Sequence, residues 1–243
     1  MNMKPHLTGL LVAAAVALSA PAYAATTIVF QNVGTIGSGV GDSYSASTTV
    51  GGKPVTLTAT GWTDNTAYNP DKLQTAELKL YPGSGYGLGV TAAGDSAYND
   101  THTIDNIGYT KDFVVLKFST AVDLTSAYFN VFDGGDATVY YKNGAAAPTD
   151  GGNALNYFAQ FNSINLTGFS TGSQNIAGPG VYSDTWVIAA PWQQSNDGFK
   201  LYSVTIDAAA VPEPATWAMM LLGFGGLGAM LRAKRKASQL ALA

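Results

Sequence analysis

The sequence predicts an all-β fold: a single antiparallel β-sandwich, jelly-roll-like, over residues 25–211, flanked by an N-terminal signal peptide and one C-terminal transmembrane helix. Three observations predict it. The stretch between the two ends is rich in Gly, Ser, Thr, Asn, Asp and Tyr and poor in Glu and Lys, which disfavours helices and favours short strands. Apolar and polar residues alternate with period two in several short runs. Turn residues punctuate those runs closely, and no helical periodicity precedes residue 215. Eight or more strands in one domain suit a sandwich of jelly-roll type.

Taken in chain order, residues 1–24 read as a secretory signal. Lys4 supplies the positive start, residues 7–20 are mostly apolar, and Ala22-Tyr23-Ala24 fits the small-x-small rule for signal peptidase. In residues 25–211, Val55, Leu57 and Ala59 interleave with three threonines, and Leu78 and Leu80 alternate with Lys79 and Tyr81. Residues 113–118 are apolar on both faces except for Lys117, as in a central strand. Residues 122–132, 138–141, 186–189 and 199–206 complete the expected strands, with 31–41 and 168–180 expected as loops. Turn signals separate them, among them Asp133-Gly134-Gly135-Asp136, Asn143-Gly144 and Asp197-Gly198.

The C-terminal segment, 212–236, has three parts. Pro212-Glu213-Pro214 resists helix and holds the residues before each proline extended. Residues 215–231 carry no charge and predict a helix of about 26 Å, slightly short of the ~30 Å hydrocarbon core of a bilayer. Leu221, Leu222, Phe224, Leu227 and Leu231 each favour insertion by only about 0.3–0.6 kcal/mol. Arg232, Lys234, Arg235 and Lys236 follow as a cytoplasmic stop, and 237–243 form a short cytoplasmic tail. Gly223-Phe224-Gly225-Gly226-Leu227-Gly228 satisfies a dinucleotide-binding fingerprint but lacks the βαβ context that motif requires.

The run Pro212-Glu213-Pro214-Ala215-Thr216-Trp217-Ala218-Met219-Met220, with Gly223-Phe224-Gly225 and the basic cluster, resembles the PEP-CTERM sorting signal of Gram-negative bacteria. That resemblance implies recognition of Pro212, Glu213, Pro214 and Trp217 by exosortase, a membrane cysteine transpeptidase. It further implies cleavage near the Pro-Glu-Pro element and release to the cell surface, often alongside exopolysaccharide. Gly87-Leu88-Gly89-Val90, His102-Thr103-Ile104-Asp105-Asn106 and Asp112-Phe113-Val114-Val115-Leu116-Lys117-Phe118 resemble exosortase-dependent surface proteins over roughly 86–142. This second resemblance implies a secreted β-rich domain without assigned catalysis.

Composition narrows the chemistry. With no cysteine, disulfides, zinc–thiolate sites and thiol nucleophiles are excluded. Residues 25–211 hold seven lysines, no arginine and fifteen acids, a net charge of −8 that does not suit nucleic acid. His102 is the only histidine beyond the signal peptide, and no Gly-x-Ser-x-Gly elbow accompanies it. Glu77 is the only glutamate in this region, so no obvious carboxylate pair announces a glycosidase. Asp100, Asp105, Asn106, Asp133 and Asp136 offer oxygens of the kind calcium prefers, although Asp and Asn in turns usually bond their own backbone. Trp62 and Trp192, in or near polar loops, are candidates for stacking on a sugar face.

The expected protein is therefore a noncatalytic surface or extracellular-matrix protein. It is exported, held transiently at the inner membrane, processed by exosortase and associated with exopolysaccharide. It needs no cofactor unless calcium plays a structural part. A carbohydrate-binding module and a polysaccharide-modifying enzyme remain the other readings.

Overall fold

The computed structural model describes residues 25–30, 35–36, 40–65, 72–81, 87–92, 102–108, 110–176, 180–194, 196–208 and 214–240. The signal peptide expected over 1–24, with Ala22 and Ala24, lies outside the described residues, as do Asp100, Pro212 and Glu213. Two units are distinguished, one over Tyr23–Ala209 and one comprising Met1–Ala22 with Ala210–Ala243.

The first unit is all-β and antiparallel. Its strands are β1 (Thr26–Val29), β2 (Thr35–Ile36), β3 (Ser43–Val50), β4 (Lys53–Asn65), β5 (Leu73–Thr75), β6 (Glu77–Tyr81) and β7 (Gly87–Thr91). Then follow β8 (Ile104–Asp105), β9 (Thr110–Asp133), β10 (Ala137–Tyr141), a one-turn helix α1 (Ala154–Phe158), β11 (Asn162–Leu166), β12 (Gly172–Asn175), β13 (Tyr182–Ala189) and β14 (Gly198–Ala208). The second unit contributes one helix, α2 (Pro214–Leu240).

β9 organises the unit. The sequence suggests two strands, 113–118 and 122–132, but the structure runs them as one strand of 24 residues. Ser119, Thr120 and Ala121 join the two runs without a Gly or Pro to break the extended backbone. Along one side of β9 lie β4, over 110–118, and β14, over 122–133. Along the other side lie β13, over 113–123, and β12, over 126–129. The first half of β9 thus sits in the order β3-β4-β9-β13-β10-β11, and the second half in β12-β9-β14-β7-β6. All fourteen strands belong to one hydrogen-bonded network.

Both halves feed one hydrophobic core. Leu57 and Ala59 of β4, Val114 and Leu116 of β9, and Trp186 and Ile188 of β13 meet Phe129 of β9, Leu201 and Val204 of β14 and Leu88 of β7. A second cluster lies on the opposite face of the first half. There Phe113 and Val115 of β9, Val187 and Ala189 of β13 and Trp62 of β4 are covered by Ala154 and Tyr157 of α1. The two-faced apolar pattern of 113–118 is explained by this arrangement, because even positions enter one core and odd positions the other.

α1 lies in the region where the sequence shows no helical periodicity. A single turn is too short to show helical periodicity, and its local signal is a cap: Asn153 Oδ1 accepts from Asn156 N at 2.8 Å. β3 is not among the strands the sequence predicts, although Tyr44, Ala46 and Val50 are buried; small and hydroxylated residues dilute its alternation. β12 occupies part of 168–180, expected as a loop.

Close backbone approach fixes β7. A Cβ added to Gly89 would lie 1.7 Å from the carbonyl oxygen of His102. The β4 residue Gly61 similarly lets Leu78 approach, with 3.3 Å from a hypothetical Cβ to Leu78 N. Gly89→Ala is expected to lower stability by about 1–3 kcal/mol, through forced backbone displacement; chemical unfolding measures it, and an unchanged midpoint would refute the tight approach.

Two acids respond oppositely to pH. Burial alone would raise Asp184, but bonds from Thr185 Oγ1, Lys117 Nζ and Gly144 N, with the Lys117 charge, hold its pKa below the usual carboxylate value. That stability is present above the unfolded pKa and is lost as pH falls through the native one. Burial pushes Asp123 up; Asp207, its direct cross-strand partner, adds to the rise, against bonds from Gly180 N and Val181 N. Protonation of Asp123 therefore favours the fold, and that contribution is lost as pH rises through its native pKa. Asp207→Asn is expected to raise the thermal midpoint near neutrality, with the gain fading below about pH 4. Asp184→Asn is expected to lower the midpoint near neutrality, the loss fading on acidification. Parallel pH–stability profiles for the two variants would contradict these assignments.

Candidate functional site

The two tryptophans proposed for sugar stacking part company in the structure. Trp62 is only 8% exposed, sits in the cluster beneath α1, and donates from Nε1 to Thr60 Oγ1 at 3.0 Å. Its position on a central strand places it inside, so the expectation of an exposed ring at Trp62 is corrected. Trp192 is half-buried and lines an open cleft of about 330 Å³.

The cleft is built from three pieces of chain. β10 supplies Thr138 and Tyr140, β11 supplies Ser163 and Asn165, and the turn after β13 supplies Trp192 and Gln193. Register explains why these residues converge. Tyr140 stands opposite Ser163, and Thr138 opposite Asn165, so all four share one face of the β10–β11 pair. The Thr138 hydroxyl donates to Asn165 Oδ1 at 3.1 Å. Among the described residues, no Asp, Glu, Lys, Arg or His lines the cleft. Burial raises the Tyr140 phenol above its ordinary pKa, partly opposed by its bond with Thr138, so this ring too stays neutral.

Phe158 of α1 supports both aromatic rings. Its centroid lies 4.8 Å from that of Trp192, edge to face, and 4.7 Å from that of Tyr140. Trp192 also tilts against Phe113 at 6.4 Å. The single-turn helix therefore sets the spacing of the cleft's rings.

The turn carrying Trp192 is tied down by polar groups. Asn106 Nδ2 donates to Pro191 O at 2.9 Å, and Lys111 Nζ donates to Gln194 O at 3.0 Å. Asn106 is itself locked to Asp197: its Nδ2 donates to Asp197 Oδ2 at 3.0 Å, and its Oδ1 accepts from Asp197 N at 2.8 Å. The backbone adds Asn106 N to Asp197 O at 3.2 Å. Asp197 then accepts from Asp136 N through Oδ1 at 3.2 Å. Asp197 reads from the sequence only as a turn residue; nothing local signals that it meets Asn106, 91 residues away.

Of the residues considered for calcium, Asn106 and Asp136 belong to this network, and the other described ones hold local hydrogen bonds. Asp105 accepts from Thr103 Oγ1 and Ile107 N, Asp133 accepts from Gly134 N, and Asp136 accepts from Gly168 N. Among the described residues, no group of three or more His, Cys, Asp or Glu is arranged to hold a metal ion. The other acid–base candidates lie elsewhere. His102 adopts a left-handed backbone (φ +50°), and its Nδ1 bonds the Thr91 hydroxyl at 2.8 Å. Glu77 pairs with Lys79. The opposed pair Asp123 and Asp207 does not line the cleft.

In the C-terminal segment, Pro214 opens α2, a position where its missing N–H costs nothing. α2 runs through Trp217 and the basic residues to Leu240, nine residues beyond the span expected at 215–231. Arg232 and Lys234 are exposed. Among the described residues, no helix is long and apolar enough to cross a membrane, so the helix does not corroborate the expected span. Four glycines, 223, 225, 226 and 228, dilute its apolarity.

Asn106→Ala is expected to cost about 1–3 kcal/mol, because it strips hydrogen bonds from the buried Asp197, and to speed amide exchange at Trp192 and Gln193. Unchanged exchange there would mean that Asn106 does not brace the turn.

No curated protein and no solved structure matches the chain. Residues 210–236 match the family described as the PEP-CTERM protein-sorting motif. The match begins just before Pro212 and ends with the basic cluster, covering every residue that the resemblance assigned to exosortase recognition, so the chain carries a PEP-CTERM sorting motif, which supports its being a PEP-CTERM protein and an exosortase substrate.

Proposed function

We propose that this chain is a noncatalytic cell-surface or extracellular-matrix protein, exported through an N-terminal signal and then cut by exosortase beside Pro212-Glu213-Pro214. The sorting motif at 210–236 carries the reading, since it implies export toward the cell surface with exosortase as processing partner. The rest is inference from chemistry. The uncharged run at 215–231 and the cations after it suit a transient hold at the inner membrane, with the marginal length and the glycines favouring release over permanent residence. The exported unit is a jelly-roll-like sandwich on this reading, supported by the single core shared between the two halves of β9.

A noncatalytic role is supported by where the titratable groups lie. Among the described residues, the cleft is lined by no side chain able to exchange a proton near neutrality, and glycoside cleavage asks for two carboxyls beside the bond that breaks. Calcium forms no part of the proposal, because Asp105 and Asp133 bond their own turns and Asp136 accepts from Gly168 N. Association with exopolysaccharide is the part of the role for which the cleft is the candidate surface.

In the native host, the mature protein is expected to lack residues 215–243 by intact mass. Glu213→Ala is expected to leave full-length chain in the membrane fraction. A mature protein that keeps 215–243 would overturn the processing claim.

A further inference from the structure

The geometry points to the cleft between β10, β11 and the 191–194 turn as a binding site for an uncharged polysaccharide. This inference rests on the proposed association with exopolysaccharide and names the surface and the ligand chemistry. It does not depend on exosortase processing.

Four features carry it. The ligand class is set first by charge. In a domain segment with a net charge of −8, the cleft lining holds no charged side chain among the described residues, so neither an anionic nor a cationic polymer finds a partner there. The second feature is the pairing of flat apolar area with many weak polar groups. Trp192 and Tyr140 present ring surface, while Ser163, Asn165, Gln193 and Gln194 present hydroxyls and amides. An uncharged sugar has the same composition: a C–H face that packs on an aromatic ring, and hydroxyls that each donate and accept. Primary amides answer both functions from one side chain. Because the Thr138 hydroxyl occupies Asn165 Oδ1, the amide's N–H groups are the end offered to a ligand.

The third feature is preorganisation. Phe158 backs both rings, and Asn106 and Lys111 hold the turn from behind, so little ordering is left for the moment of binding. The fourth is access. Among the described residues, β11 pairs with β10 alone and forms the edge of the sheet, which leaves the cleft open on that side to a long chain that does not end there. Its volume of about 330 Å³ is at the lower end of the ~300–1,000 Å³ found for small-ligand sites, enough for a short stretch of a polymer.

The test is affinity electrophoresis of the full chain in mild detergent through gels containing dextran, galactomannan, hydroxyethyl cellulose or soluble starch, with alginate as the anionic comparator. Retardation by at least one uncharged polymer and none by alginate is expected. Trp192→Ala is expected to weaken that binding at least tenfold. Gln193→Ala, on the exposed turn, is expected to weaken it several-fold with an unchanged unfolding midpoint, and it decides the matter if Trp192→Ala fails to fold. The inference is overturned if all four uncharged polymers leave mobility unchanged, if alginate retards the protein equally, or if Gln193→Ala binds as the parent does. None of those failures touches the processing reading, which is measured separately by the mass of the C-terminus.

Discussion

β9 has almost no unoccupied side. Its backbone donates and accepts along both edges for most of 24 residues, and its first half is buried on both faces. Backbone groups taken from water must find partners, so a strand this buried obliges β4, β13, β14 and β12 to lie where they do. The change of neighbour near Ser119 and Thr120 is what turns one ladder into two halves facing one core. Ser119 marks the point: its hydroxyl accepts from Thr56 N at 3.0 Å, closing the ladder where β4 leaves β9.

The cleft follows from that constraint by a short chain of causes. In the first half of β9, Phe113 and Val115 point away from the main core and would face water if nothing covered them. α1 covers them, bringing Phe158 to the edge of the cluster. Phe158 then seats Trp192 and Tyr140, and the register of β10 with β11 places hydroxyls and an amide beside the rings. The fold thus produces a surface whose recognition chemistry is entirely uncharged, on a segment whose overall charge is strongly acidic. Net charge of this size favours solubility in general, and among the described residues the cleft is where that charge is withheld.

The C-terminal segment works by different physics. It relies on composition: two prolines, a stretch without charge, and cations behind it. Such a motif is a linear text, which is why it can be recognised without any likeness over the rest of the chain.

The linear features were legible for the same reason. The sorting signal, the all-β class, the strands at 113–118, 138–141 and 199–206, and the exclusion of thiol chemistry all depend on residues close together in the chain. Trp192 could be named as a candidate from its polar surroundings, but so could Trp62, and only burial separated them. A strand position in the sequence does not say which face will be roofed by a helix 90 residues later. α1 itself was invisible because one turn carries no period, and the joining of two strands into β9 was invisible because nothing marks a missing break. Asn106 and Asp197 looked like two separate turns; that they clasp each other and hold the cleft's wall is a fact about distance in space. Tertiary structure decided the site because a binding surface is made by which side chains share a face, and register, crossing and cover set that only once the whole chain has folded.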